Sequence, residues 1–198
     1  MPRISAEQRR EELVAAAFRV VAAHGVAAAT TRAVASEAGM ALASLHYVFE
    51  SRAELMSELV RVAVDVERSA LLPSLTPGST FQGTVRLGLE RYLDLLRADP
   101  LREKAMLELT QYALRTPGLD ELAQGQYARY VELASDALDT AAELWKMTWI
   151  TPVEELARLM VVVTDGVTMS WLVTRDDEAA GRAFDFAADA VVRQAVAA

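Results

Sequence analysis

The chain has 198 residues, 53% of them hydrophobic and 24% charged, with no cysteine and only two histidines. That is enough for one sizeable core or two modest ones, and it excludes disorder, disulfides, thiolate nucleophiles and thiolate-held zinc. The net charge of −8 is unevenly spread: residues 1–61 hold seven arginines and seven glutamates, so all the surplus acid follows Arg61.

The elements are predicted in chain order. Ser5 precedes an apolar pattern at helical spacing, Leu13, Ala17, Val20, Val21 and His24, which Gly25 ends. Thr30 or Thr31 caps a short second helix, "TRAVASEA", closed by Gly39. A third short helix covers 42–48, and Ser51 caps a fourth over 52–72. "PSLTPGST" is the first clear loop. Helix five follows over 81–97. Asp99-Pro100 opens helix six, which runs to Arg115. A long helix spans 119–146. Thr151-Pro152 repeats the cap-plus-proline signal before helix eight, which ends near Thr174, and the last helix covers 179–196. Strand signals and repeats are missing. The fold class is therefore all-α, with nine helices: a three-helix head over 1–50 and a helical body over 51–198.

The head carries the sharpest motif. "TTRAVASEAG" and "SLHYVF" are two short helices joined by a tight turn at Gly39. Ala35 and Ala38 are small enough for close packing, and Val34, Leu45 and Phe49 are the expected core contacts, the last two at i, i+4. This is helix-turn-helix spacing. Through Ala16, Gly25, Thr30, Thr31, Ala35, Ala38, Gly39, Ser44, Leu45, Tyr47, Phe49, Arg52 and Leu55, the first 55 residues resemble the TetR family of transcriptional regulators. The chain departs from the usual family pattern at Ala41, Ala43, His46 and Val48. The resemblance implies a homodimer with two DNA-binding heads, a body that takes a small effector, and an interface made by the last two helices.

On this reading Thr31 presents a helix N-terminus to phosphate. Arg32 reaches guanine or phosphate, and Leu42 and Ala43 touch thymine methyls. Ser44, His46, Tyr47 and Arg52 position the helix on the backbone. A neutral head on an acidic body is compatible with DNA contact by one end only. Arg3, Arg9 and Arg10 could form a basic arm, but Glu11 and Glu12 make a solvated charge run the plainer expectation for Arg9 and Arg10.

The body offers no catalytic set, since no histidine follows His46 and no Gly-rich phosphate loop occurs. Not an enzyme, no cofactor and no metal are the expectations. Aromatics and methionines gather in the middle helices beside Glu108, Thr110, Gln111 and Arg115. They suit a mainly apolar effector pocket, for which Met106, Gln111, Tyr112, Tyr127 and Trp145 are the candidates. "LARLMVVVTDGVTMSWLV" is apolar nearly all round, which calls for a second cover, and a partner subunit supplies one. Gly166, Met169, Trp171, Phe184 and Val191 are the candidate dimer contacts. The start of the chain, "MPRISAEQRREEL", lacks an apolar signal region, so a cytoplasmic protein with no membrane partner is expected. The sequence leaves one alternative open, a helical small-molecule-binding or scaffold protein without sequence-specific DNA binding.

Overall fold

The computed structural model describes residues 5–76 and 80–198; Arg3 and part of the expected first loop lie outside them. The described residues form nine α-helices and one two-stranded sheet. They pack as two compact units. One contains Met1–Ala63 and Leu101–Tyr127, the other Val64–Pro100 and Ala128–Ala198. Packing thus divides the chain differently from a simple cut at residue 50, because a segment from the middle of the sequence joins the head.

In the first unit, α1 (Ala6–His24) starts at a reciprocal cap. Ser5 Oγ accepts from Gln8 N at 3.0 Å, and Gln8 Oε1 accepts from Ser5 N at 3.1 Å. Its stripe Leu13, Val14, Ala16, Ala17, Val20 and Val21 is buried. Gly25, at φ 82, turns the chain into a single 3₁₀ turn, Val26–Ala28. Thr30 caps α2 (Thr31–Glu37) by accepting from Ala33 N at 3.1 Å. Gly39, at φ 65, makes the sharp turn into α3 (Leu42–Val48). Ser51 Oγ then accepts from Glu54 N at 3.0 Å at the start of α4 (Arg52–Leu71). Val34, Leu45, Phe49, Leu55 and Leu59 of this part meet Met106, Leu109 and Ala113 of α6 (Pro100–Arg115) in one apolar cluster. Each fully buried Val, Leu, Phe or Met side chain among them contributes on the order of 2 kcal/mol.

In the second unit, α5 (Phe81–Ala98) lays Phe81, Val85, Leu89, Leu93 and Leu96 against Phe184, Ala187, Ala188 and Val191 of α9 (Asp177–Val192). The paired alanines let the two helices approach closely. Arg86 Nη1 donates to Gly181 O at 2.8 Å and Asp185 Oδ1 at 2.5 Å, and Arg97 Nε donates to Asp177 Oδ1 at 3.0 Å. The long helix α7 (Asp120–Trp145) contributes residues to both units.

Helix α8 (Val153–Thr174) is long and apolar enough by composition to cross a membrane. However, Leu156, Ala157, Met160, Val167 and Trp171 join the second unit's core.

The ends of two predicted helices need correction. Met147–Trp149 forms β1 and pairs antiparallel with β2 (Ala195–Ala197), Thr148 opposite Val196. The last helix therefore stops at Val192 rather than 196. "AVAA" has good helix propensity, but strand pairing overrides it: Ile150 N donates to Gln194 O at 2.7 Å and Ala198 N to Lys146 O at 3.0 Å. Three-residue strands are also too short for an alternating pattern to show. Nor does Thr151 cap α8, because its hydroxyl donates to Gln194 Oε1 at 2.8 Å.

Candidate nucleic-acid interface

Helix α3 has two faces of opposite character. Leu45 is wholly buried, and Phe49, which follows the helix, is too. Leu42 is half-buried and packs on the same cluster. Ala43, His46 and Tyr47 are exposed, Tyr47 to 75%, with Ser44 half-buried between the faces. Ala41 supplies no side-chain cap, so the α3 N-terminus presents only backbone donors. In α2, Thr31 is half-buried at the first helical position and Arg32 is exposed, with no ion pair among the described residues. The Arg9 guanidinium lies 5.9 Å from the Tyr47 ring centroid. Thr31, Arg32, Ala43, Ser44, His46 and Tyr47 thus belong to two short helices joined by a tight turn.

Arg52 is placed differently from its expected phosphate-facing role. Its Nε donates to Ala29 O at 2.8 Å and its Nη2 to Val26 O at 2.5 Å. Nη1 donates to Tyr112 Oη at 3.1 Å, with the guanidinium 5.0 Å from that ring's centroid. This fork holds the turn between α1 and α2 from within the unit.

Arg10 also departs from the solvated charge run expected of it. Its Nε donates to Glu58 Oε1 at 2.9 Å, its Nη2 to Glu54 Oε1 at 3.3 Å, and its Nη1 to Val48 O at 3.3 Å. It also lies over the Phe49 ring at 4.5 Å. Arg10 therefore ties α1 to α4 and satisfies a carbonyl that the end of α3 would leave open. Glu54 and Glu58, at i, i+4 on α4, were a visible signal of a paired acceptor for an arginine; nothing in the sequence pointed to which arginine.

A short helix anchored by one apolar face, preceded across a tight glycine turn by a second short helix, defines a helix-turn-helix DNA-binding protein. The family model for bacterial regulatory proteins of the tetR family matches residues 13–59. The nicotine-responsive transcriptional repressor HdnoR of Paenarthrobacter nicotinovorans is 33% identical over 183 residues, covering 88% of this chain and 89% of that protein. A TetR-family regulator from Rhodococcus sp. superposes with a TM-score of 0.79 at 20% identity, over 93% of this chain and 98% of its own. The multidrug binding protein EbrR, solved with imidazole, gives a TM-score of 0.66 at 25% identity, over 96% of this chain and 92% of its own. The chain belongs to the TetR family and is a ligand-responsive, DNA-binding transcriptional regulator.

The expected effector residues are shared between the two units. Met106 and Tyr112 are packed in or against the first unit's core, Gln111 is exposed and Tyr127 is partly exposed, all in that unit. Trp145 belongs to the second, where its Nε1 donates to Thr84 Oγ1 at 2.8 Å. Of the expected dimer contacts, Trp171, Phe184 and Val191 are buried inside the second unit and have little surface to offer. They are the inward side of α8 and α9. Gly166 and Met169 lie on the outward side, where Leu159, Val162, Gly166, Met169 and Val173 make an exposed apolar stripe along α8 at alternating spacings of three and four, with Phe186 exposed on α9.

Glu58 is the strongly perturbed acid of the head. Hydrogen bonds first from Arg61 and then from Arg10 hold its carboxyl down at about 2, against an ordinary 4.5. Its side chain is only 11% exposed. The depressed value means that this stabilisation is complete above pH 4.5 and is lost as the pH falls towards 2. After allowance for solvent around Arg61 it amounts to about 1–2 kcal/mol. Acid denaturation followed by circular dichroism should show it: Glu58→Gln lowers stability at neutral pH and flattens the pH dependence across that window.

Proposed function

We propose that the protein is a homodimeric repressor that binds a near-palindromic operator and is released from it by a small, mainly apolar effector. Residues 1–50 then form the DNA-reading head, and 51–198 provide effector binding and dimerisation. The single observation that carries the DNA-reading surface is the division of α3: Leu45 is fixed in the core, while His46 and Tyr47 are exposed, as is Arg32 of α2. In this reading Arg32 carries base readout, Leu42 and Ala43 meet thymine methyls, and Thr31, Ser44, His46 and Tyr47 hold phosphates.

What supports the dimer is the α8 stripe. A row of apolar side chains at alternating spacings of three and four is what a helix offers to another helix. Leu159, Val162 and Met169 are each more than half exposed in the single chain. Gly166 sits within the stripe with open space where a side chain would be, so a partner helix can come close. A second copy of this chain is a self-complementary occupant, and two heads then meet two half-sites. A DNA-bound regulator of this kind works in the cytoplasm.

The effector class draws on the relatives. One is a nicotine-responsive repressor, and EbrR has been solved with both imidazole and ethidium. Nitrogen-containing aromatic compounds are the class they favour for this chain. Trp145 remains a candidate to meet it, in the unit that also holds Tyr92 and Trp149.

Two outcomes follow. Arg32→Ala should weaken binding to a duplex selected by the wild-type protein from random sequences by about ten- to a hundredfold, and Tyr47→Ala should weaken it as well; fluorescence anisotropy reads both, and two variants that bind like wild type would contradict the reading. In sedimentation velocity the wild-type chain should run as a dimer, and Val162→Arg should run as a folded monomer with weakened duplex binding; a wild-type monomer would remove the dimer.

A further inference from the structure

The turn that joins α1 to α2 is held from outside its own sequence neighbourhood. Gly25 N, Ala28 N, Ala29 N and Thr30 N find acceptors locally, at Val21 O, Gly25 O, Val26 O and Ala28 O. Val26 N instead donates to Glu108 Oε1, on α6, at 2.7 Å. The carboxylate lies so close that a side chain on Gly25 would place its Cβ 2.6 Å from that oxygen. Gly25 is required by its φ of 82, and a side chain there would also push the Glu108 carboxylate away from Val26 N.

The other side of the same turn is gripped by Arg52, through Val26 O and Ala29 O. Arg52 is itself held by Tyr112, one helical turn after Glu108. Val26 thus gives its N–H to Glu108 and its carbonyl to Arg52, and one face of α6 reaches the turn twice, directly and through Arg52. The turn ends at Thr30, the cap of α2, so its placement sets where Thr31 and Arg32 stand.

We infer that Glu108 is a positioning residue for DNA recognition: it touches no DNA, and by holding Val26 N it fixes α2 in the register needed to read a sequence. This rests on the proposed DNA-reading surface. Two features separate it from a merely structural role. Glu108 is exposed, so truncating it opens no core cavity. It is also an acid, so removing it makes the unit less negative, which alone would strengthen binding to any DNA.

The test uses the full-length protein, a near-palindromic duplex selected by the wild type from random sequences, and an unrelated duplex of equal length. Glu108→Ala should bind the selected duplex about tenfold more weakly, as the loss of one charge-assisted hydrogen bond allows. It should bind the unrelated duplex no more weakly than wild type, with the same salt dependence, and remain folded at the assay temperature. Glu108→Gln keeps an acceptor and should stay within about threefold of wild type. Tyr112→Phe, which frees one arm of Arg52, should lose affinity for the selected duplex alone. The inference is overturned if Glu108→Ala binds the selected duplex like wild type, weakens on both duplexes equally, or is matched by Glu108→Gln. A wild-type protein that selects no duplex would overturn the DNA-reading surface as well, which distinguishes the two failures.

Discussion

A seven-residue helix has no stability of its own in water. Both helices of the DNA-reading motif, α2 and α3, are that short. Everything about the head follows from supplying from outside what they lack. Val34 and Ala35 anchor α2, and Leu45 with the adjoining Phe49 anchors α3, all within a cluster that α1, α4 and α6 complete. Because the inner faces are fixed, the outer faces are free of any duty to the fold. Ala43, His46 and Tyr47 can be chosen for what they touch.

The polar ties follow the same logic. Arginines in a DNA-binding head invite the reading that each faces phosphate. Here Arg10 and Arg52 face inward, and they serve carbonyls at the places where helices begin and end. Arg19 is paired with Glu37 at 2.6 Å. Arg32 is left facing outward without an ion pair among the described residues, so a head of zero formal charge can still present a cation where it counts. The matching glutamates are not diluents of a basic patch; Glu54 and Glu58 are the acceptors that give Arg10 its position.

Much of this was legible in the sequence, and the limits have physical causes. Helix ends marked by Ser5, Thr30, Ser51 and Asp99-Pro100 fall where local capping chemistry decides, and the 42–48 helix is read to the residue. The all-α class follows from periodicity. Arg10 and Arg52 were misjudged because their partners lie 38 to 48 and 23 to 60 positions away, and spacing rules see only local neighbours. Glu108 had no signal at all, since its acceptor role depends on a contact with Val26 across 82 positions. On α8 and α9 the apolar residues were identified, but a helix apolar nearly all round does not declare which side faces inward. Trp171, Phe184 and Val191 turn in, and Leu159, Val162 and Met169 turn out. The strand pair at the C-terminus escaped because alanine propensity spoke for helix.

The central claim is that the exposed faces of α2 and α3 are the surface that meets DNA, with the rest of the first unit holding them in place. Amide hydrogen exchange of the full-length protein, with and without its selected duplex, reads this directly. The account predicts new protection over residues 30–33 and 41–47, and little change on the exposed side of α8. Protection that spares α3, or that appears on the body while the head exchanges as before, would contradict it.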